Sequence, residues 1–394
     1  MKCKKILTAL LAAACTMSGC HGDLDIMQDN KLSASNMWID ESDAETATYG
    51  IYLYMRDALK SVHDIYLCWG EFRNGLWGAG TNKTLSGVDQ TQVRTSTMSS
   101  SNAYADWSVM YKTVNQANLI LKHVPEMGIS ESVRNFSLGN AYFSRAWCYF
   151  WIARIWGDAP LALTGYESTA GDLYLPRAPK AEIFARIESD LTEAERYVTD
   201  NSDKAVATPA AVQMLKADYA LWMYRVAGGG SSYLTMAEEA IETLNLSASR
   251  LESDYAQVFS SANKLNKEVI FAVHQANGEA VNGPGYYLGW NSNYVEAAYQ
   301  NNPVPITGGN QWWWYTDRYK ALLTSVEGDT RTKLTYNRAD YGTTIKSIEW
   351  TEKGVGQMIS GARIFDSDFI LYRYAEAFLM DAEIKYYRKD YGGA

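Results

Sequence analysis

The chain has 394 residues, of which 47% are hydrophobic and 21% are charged, and its formal net charge is −9. This composition is typical of a globular protein long enough to bury a sizeable core without needing disulfides. The acidic balance argues against a nucleic-acid partner, because neutralising phosphates requires clustered lysine and arginine side chains.

The N-terminus has the pattern of a bacterial lipoprotein signal. Three lysines precede an apolar run over residues 6–14, which is too short to span a bilayer. Small residues lie directly before Cys20, as in a lipobox, although Met17 stands where an aliphatic residue is usual. We expect residues 1–19 to be removed and Cys20 to be acylated, since several acyl chains hold a protein on a membrane without a transmembrane helix. The alternative is an ordinary secretory signal followed by an incidental cysteine.

A tether and a first helix are predicted next. Residues 20–40 are polar and non-periodic, which indicates an extended, lipidated tether. Ser42 and Glu45 form a capping-box pattern ahead of apolar residues at helical spacing, so a helix is expected to begin there. Residues 64–100 show no clear period and contain several glycines, serines and threonines, which predicts a long loop.

Apolar residues at helical spacing dominate the middle of the chain. They predict helices over 107–124, 131–156, 180–198, 208–226, 234–244 and 369–387. Residues 366–368 are expected to cap the last of these helices. Residues 268–274 are typical of a short strand, whereas 277–365 are mostly non-periodic and indicate a long functional segment. Helices paired along the chain by short turns favour stacked hairpins of the tetratricopeptide kind.

Two cysteines, Cys68 and Cys148, follow the predicted signal and lipidation site. They could pair in an oxidising compartment, but two isolated cysteines do not establish a disulfide. The apolar helical pattern around Cys148 favours a buried free thiol.

Several segments, in their order along the chain, match one known family. The most specific is Ala141–Phe150 followed by Arg154–Leu161, where an aromatic-Gly-Asp-x-Pro corner follows a long helix. Further matching segments lie at 107–118, 176–191, 207–217, 255–271 and 371–383. Together with the lipoprotein signal, this ordered set resembles the SusD/RagB family of nutrient-binding outer-membrane lipoproteins.

The resemblance implies a mainly α-helical fold, with tetratricopeptide-like helical hairpins as a scaffold and long loops with few short strands as the ligand face. It also implies a surface-exposed, lipid-anchored protein of the outer membrane that caps a SusC-type TonB-dependent transporter. Members of the family typically extend beyond the length of this chain. We therefore expect residues 41–394 to be a SusD-like domain that lacks its C-terminal part.

Motifs of the common enzyme classes are missing from the sequence. It contains no HExxH, GxSxG, Walker A or CxxC pair, and its four histidines are isolated from one another. We therefore expect no catalytic residues, no metal site and no cofactor.

Aromatic residues in the predicted loops are the positive signal. Tryptophan and tyrosine rings offer flat apolar faces to sugar C–H groups, and neighbouring amides and charges can bind the hydroxyls. The candidate ligand-binding residues are Trp69, Glu71, Arg73, Asn74, Trp77, Tyr287, Trp290, Trp312 and Trp314. The same aromatics could instead pack the loops onto the helices or contact the transporter. In an extended run such as 312–314 neighbours alternate sides, so one or two of these rings would belong to the core.

Capture of a glycan and its delivery to the transporter is the leading hypothesis. Peptide capture is the nearest alternative, because peptide ligands also occur in the family. A secreted α-helical glycoside hydrolase is a second class and would need two carboxylates about 5–10 Å apart; Glu71, Asp89 and Glu296 are loop acids that sequence alone cannot bring together. A helical-repeat scaffold without a small ligand is the third class.

Overall fold

The structure, a computed structural model, describes residues 37–80, 88–168, 173–279, 282–309, 311 and 313–393. The predicted signal peptide, Cys20, most of the predicted tether and Trp312 lie outside the described residues. The elements below belong to the unit from Asp40 to Ala394. Within the described ranges, no helix combines the length and the apolar character needed to cross a membrane.

Helices make up the scaffold. In chain order they are α1 (Glu41–Gly70), α2 (Val88–Thr95), α3 (Ser108–His123), α4 (Glu131–Trp156), α5 (Lys180–Tyr197), α6 (Pro209–Arg225), α7 (Ser231–Glu242), α8 (Tyr255–Val258), α9 (Asp317–Leu323), α10 (Thr330–Thr335) and α11 (Tyr374–Arg388). Helices adjacent in this order pack as pairs: α3 on α4, α4 on α5, and α6 on α7. The first helix, α1, also packs on α3 and α4, and α11 packs on α6 and α7. The prediction of a mainly α-helical fold built from helical hairpins is confirmed.

The predicted helix ends in this scaffold follow local chemistry. Gly157 ends α4 with a positive φ of 74°, a conformation that costs glycine little. The helix α6 begins as predicted, because the Thr208 hydroxyl accepts a hydrogen bond from the Ala211 amide at 3.2 Å and Pro209 occupies the first turn.

The first helix differs from its prediction at both ends. Its N-cap is Asp40, whose carboxylate accepts from the Asp43 amide at 3.1 Å, while the Asp43 carboxylate accepts from the Asp40 amide at 3.3 Å. This reciprocal box takes the place of the predicted Ser42 box, two residues earlier. The helix continues to Gly70 because Ile65 and Cys68 keep its apolar face buried, so the start of the predicted loop is helical.

The last helix is shorter than predicted because its first part is a strand. Residues Phe369–Arg373 form β10, which pairs antiparallel with β4 (Val269–Val273), the strand predicted near residue 268. The aromatic and branched side chains of β10 suit this half-buried position. The N-cap of α11 is Arg373, so residues 366–368 do not cap this helix as predicted. Asp366 instead lies 3.2 Å from the Lys264 ammonium.

Four more antiparallel pairs of short strands hold the remaining loops. They are β1 (Trp77–Ala79) with β5 (Trp313–Tyr315), β2 (Ala159–Pro160) with β3 (Arg177–Ala178), β6 (Asn337–Ala339) with β7 (Ile348–Trp350), and β8 (Gln357–Ile359) with β9 (Ala362–Ile364). The predicted loop at 64–100 and the non-periodic segment at 277–365 thus contain short ordered elements. The pairing of β1 with β5 joins segments far apart in sequence, which apolar periodicity cannot reveal.

A buried ionic network ties three scaffold helices together. The Arg145 guanidinium on α4 donates to both carboxylate oxygens of Asp190 on α5, at 2.8 and 2.7 Å. Its remaining terminal nitrogen donates to the Asn118 side-chain oxygen on α3 at 2.7 Å. Arg145 and Asp190 are withdrawn from water, so this complete set of partners is what makes their burial tolerable.

Both cysteines of the described chain, Cys68 and Cys148, are buried, and no disulfide joins them. Burial raises the pKa of Cys148, which keeps its thiol protonated and unreactive. The interpretation of Cys148 as a buried thiol agrees with this arrangement.

Candidate functional site

A cavity of about 710 Å³ opens where the end of α1 meets the loop side of the molecule. Its walls come from segments far apart in sequence: 66–77, 255–265, 284–288, 315–335, 351–354 and 367–373. This volume falls in the range of small-molecule sites in proteins, ~300–1,000 Å³. The scaffold thus supplies one side of the cavity and the loops supply the rest.

Aromatic rings line much of this cavity: Tyr66, Trp77, Trp151, Tyr255, Phe259, Tyr315, Tyr319 and Phe369. Strand pairing places Trp77 of β1 directly opposite Tyr315 of β5, with ring centroids 4.8 Å apart. Tyr315 in turn contacts Tyr319 edge-to-face at 5.0 Å. Tyr319 is part-buried, and this desolvation raises the pKa of its phenol, so the hydroxyl remains a neutral donor. Rings held in this way offer rigid apolar surface at little entropic cost.

A second group of lining residues combines rings with cations. Tyr255 and Phe259 sit one turn apart around α8 and contact each other at 5.1 Å. The Lys353 ammonium lies 4.3 Å from the Phe259 ring centroid, and the Arg373 guanidinium lies 6.0 Å from the same centroid. Both distances are within the range of a cation–π contact.

The other cations that line the cavity have carboxylate partners. Arg331 binds Asp329 at 2.6 Å, Arg373 binds Glu268 at 2.7 Å, and Lys264 binds Asp366 at 3.2 Å. Lys353 differs, since its ammonium has no hydrogen-bonded or ion-paired acceptor among the described residues. Burial lowers the pKa of Lys353 to about 8; the positive charge of Arg373 acts in the same direction and Glu71 opposes it.

Among the predicted ligand-binding residues, the structure brings Glu71 and Trp77 to the cavity wall. Asn74 lies just outside the wall, and its amide donates to the Glu71 carboxylate at 2.6 Å. Arg73 points elsewhere and donates to the Val93 carbonyl oxygen at 3.3 Å. Trp69 packs on the helices, where its indole donates to the Tyr104 carbonyl oxygen at 2.9 Å.

Trp290 and Trp314, which were predicted to stack on a ligand, lie in the core of the described structure instead of on the cavity wall. Trp290 is 0% exposed, and its indole nitrogen donates to the Glu349 carbonyl oxygen at 2.7 Å. Trp314 is 1% exposed and packs against the ring of Tyr315 at 4.6 Å. Tyr287 is part-buried against Trp313, at 6.4 Å, rather than in the cavity lining. A contribution of Trp312 lies outside the described residues.

Several lining residues were absent from the sequence prediction, namely Tyr255, Phe259, Tyr319, Lys353 and Arg373. Three of them fall in segments that matched the family pattern, at 255–271 and 371–383. Tyr319 and Lys353 carry no local signal, since only the folded loops bring them to the cavity.

Across the described ranges, no group of three or more histidine, cysteine, aspartate or glutamate side chains is placed to hold a metal ion.

Comparison with known sequences identifies a family. A family model described as SusD-like, "Starch-binding associating with outer membrane", matches residues 79–222. SusD-like protein P38 of Formosa agariphila is 26% identical over 190 residues, which are 48% of this chain and 36% of that protein. The matched segment thus spans about a third of the length of this curated relative.

Solved structures show the same fold over most of the chain. A SusD superfamily protein from Bacteroides fragilis superposes with a TM-score of 0.75 at 26% identity, covering 90% of this chain and 77% of that chain. Surface glycan-binding protein A from Bacteroides thetaiotaomicron, solved with laminarihexaose, gives a TM-score of 0.71 at 16% identity, covering 88% and 78%. The latter likeness concerns the fold alone. The fold is therefore that of the SusD superfamily. Over the matched residues, the chain is similar in sequence to SusD-like proteins.

Proposed function

We propose that this protein is a lipid-anchored, surface-exposed lipoprotein of the outer membrane that captures glycans and delivers them to a SusC-type TonB-dependent transporter. The observation that carries this proposal is the aromatic cavity of about 710 Å³ on the loop side of the scaffold. The family description, starch-binding and associating with the outer membrane, supports the same ligand class and location.

The cavity offers the two kinds of contact that a glycan needs. The rings of Tyr255, Phe259 and Tyr319 provide apolar faces for sugar C–H groups. Around them, Glu71 and the phenol of Tyr319 provide an acceptor and a donor for sugar hydroxyls. Affinity arises from stacking and hydrogen bonds, without covalent chemistry.

Two of the three carboxylates that line the cavity in the described chain, Asp329 and Asp368, lie beside a basic side chain, and the third, Glu71, accepts from the Asn74 amide. Asp329 is held by Arg331 at 2.6 Å, and Asp368 lies 3.0 Å from the His274 imidazole. A glycosidase needs one carboxylic acid kept protonated near neutral pH, which requires a raised pKa. An adjacent cation has the opposite effect, as the lowered pKa of Asp329 beside Arg331 illustrates. We infer that the protein has no catalytic residues.

A binding screen tests the ligand class. The full chain, purified in mild detergent, would be titrated calorimetrically with starch-derived and laminarin-derived oligosaccharides and with peptide pools. We expect binding to at least one glycan, weakened roughly tenfold, or about 1.4 kcal/mol, by Tyr319→Ala or Tyr255→Ala.

Tyr174→Ala is the matched control for these variants, because that side chain is 93% exposed and outside the cavity. Binding of peptides alone would move the function to peptide capture. Glycan binding that Tyr319→Ala and Tyr255→Ala leave unchanged would remove this cavity as the ligand site.

Membrane attachment is tested separately through Cys20. We expect cells grown with a labelled fatty acid to incorporate it into the protein, and Cys20→Ala to abolish both the label and the membrane fraction of the protein. Retention of Cys20→Ala on the membrane with undiminished label would contradict the anchor.

Co-purification with a TonB-dependent transporter, measured on the wild-type chain in detergent, tests the partner.

A further inference from the structure

Most cations that line the cavity have a carboxylate partner, but Lys353 does not. Arg331, Arg373 and Lys264 each have a carboxylate within 3.2 Å or less. The Lys353 ammonium, in contrast, has no hydrogen-bonded or ion-paired acceptor in the described part of the chain, and it lies 4.3 Å from the Phe259 ring centroid and 6.0 Å from the Tyr255 ring centroid. The guanidinium of Arg373 approaches the same Phe259 ring, so two cations converge on one ring.

Such an arrangement is costly for a protein that has no ligand in it. A part-buried ammonium such as that of Lys353 loses some of its hydration, and two neighbouring cations repel each other. The attraction of the Phe259 ring returns only about 0.5–2 kcal/mol. Burial and Arg373 together lower the pKa of Lys353 to about 8, and the opposing effect of Glu71 is smaller.

The backbone holds Lys353 in place. The next residue, Gly354, has a φ of +70° and lies against Gly285, where an added Cβ would be 2.8 Å from the Gly354 oxygen. Both glycines are in the left-handed region, and the close approach of their backbones excludes side chains. Lys353 therefore stands on a fixed turn at the cavity wall, as a residue with a positioning requirement would.

We propose that Lys353, with Arg373 beside it over the Phe259 ring, forms a subsite for an anionic substituent of a sugar, a carboxylate or a sulfate ester. The sugar ring that carries the anion stacks on Phe259 or Tyr255 while the ammonium binds the charge. The cavity thus prefers acidic oligosaccharides to neutral ones. This inference rests on the proposed glycan-binding function and names its substrate class.

Titration of Lys353 involves all charges that face it. Those lining the same cavity are Glu71, Lys264, Asp329, Arg331, Asp368 and Arg373. An ammonium that binds an anion must be protonated, so affinity for an acidic ligand falls as pH rises through the pKa of Lys353. Neutral ligands do not share this dependence.

The test compares three probes on the full chain by calorimetry at pH 7: hexagalacturonate, a κ-carrageenan hexasaccharide and maltohexaose. We expect at least one acidic probe to bind tenfold or more tightly than the neutral one. Lys353→Met removes the charge at nearly constant length and should weaken the acidic probe tenfold or more while changing the neutral probe less than twofold. Lys353→Gln provides a second neutral variant, and Lys333→Met, exposed and outside the cavity, provides the matched control.

The possible outcomes distinguish failure of the anion subsite from failure of the proposed glycan-binding function. Preference for hexagalacturonate or for the carrageenan probe identifies carboxylate or sulfate as the anion. Tight binding of maltohexaose without preference for either acidic probe overturns the anion subsite and leaves glycan capture standing. Acidic binding that is equal in wild type, Lys353→Met and Lys353→Gln also overturns it. Absence of binding to all three probes, with peptides bound instead, overturns both.

A pH series provides an independent readout. Between pH 7 and pH 9 we expect affinity for the acidic probe to fall about tenfold in the wild type and to stay flat in Lys353→Met. A flat wild-type profile for a bound acidic probe would overturn the role of Lys353, since no other group in the cavity has a pKa lowered to about 8 in the described chain.

Discussion

Arg145 in the helical scaffold is a buried cation and Lys353 in the loop-built cavity is a part-buried one, and their surroundings differ. Arg145 has three side-chain hydrogen bonds, two to Asp190 and one to Asn118. Lys353 has none among the described residues and rests beside the Phe259 ring. The buried network around Arg145 is therefore satisfied within the scaffold, whereas the Lys353 ammonium at the cavity has no acceptor among the described residues.

The largest test of this comparison is to break the scaffold network. Arg145→Met leaves Asp190 buried with only the Arg186 guanidinium at 3.3 Å. We expect unfolding free energy to fall by roughly 3–5 kcal/mol, because an uncompensated carboxylate remains in the core. Urea denaturation followed by circular dichroism measures it. Arg388→Met, which removes a surface ion pair with Glu238, should cost less than about 1 kcal/mol. Equal losses in the two variants would refute the special role of the buried network.

Tight packing between α4 and α5 gives the next effect. A Cβ placed at Gly139 would lie 2.6 Å from Cγ2 of Val198 and 3.0 Å from the Val198 backbone nitrogen. Gly139→Ala should therefore lower the unfolding free energy by roughly 1–3 kcal/mol, as overpacking does. At Gly128 nothing lies within 4 Å of an added Cβ, so Gly128→Ala serves as the control in the same urea titration. A neutral Gly139→Ala would show that the helices can move apart freely.

The boundary between the two regions should show a pH effect. Burial raises the pKa of Glu376 on α11 to about 7, and Asp218 adds to the rise while Arg373 and Arg154 oppose it. The protonated carboxyl therefore stabilises the folded state fully below the unfolded pKa near 4.5, and this contribution is lost as pH rises through 7.

Glu376→Gln mimics the protonated carboxyl and tests this linkage. We expect it to match the wild type at pH 4.5 and to exceed it by about 1–2 kcal/mol at pH 8. Thermal denaturation across this range measures the difference. Parallel stability curves for the two proteins would contradict a perturbed Glu376.

The smallest expected effect is that of Lys353→Met on the unfolding free energy, and the sign of this change is informative. Removing an uncompensated ammonium by Lys353→Met should stabilise the ligand-free protein at pH 7 by about 1 kcal/mol, since the pKa of Lys353 is lowered in the folded state. The measurement is the urea midpoint without ligand. A loss of more than about 1 kcal/mol would mean that Lys353 serves the fold rather than the ligand.

The sequence predicts the scaffold well because its signals are local. Periodic apolar residues, the Thr208 cap and the Gly157 stop each act within a few residues of the chain, and the structure contains the helices they indicate. The strand at Phe369–Arg373 was missed since its partner lies near residue 270, and only that pairing turns the segment away from helix.

The cavity was predicted less well for the same reason. Trp290 and Trp314 look like loop aromatics in sequence, but long-range packing buries them. Trp77 and Glu71 do reach the wall, because the end of α1 directs the chain that follows it towards the loops. Lys353 gains its significance from Phe259 and Arg373, neither of which is near it in sequence.

The pairing of β4 with β10 has a consequence for how the ligand face can vary. The chain leaves the scaffold after Val273 and returns at Phe369, and these two residues are register partners across one antiparallel strand pair. The two ends of the segment between Val273 and Phe369 therefore lie about 5 Å apart, which is the spacing of neighbouring strands. The length of the intervening segment can therefore change without moving the two strands at its ends, provided that its pairing with β1 is kept.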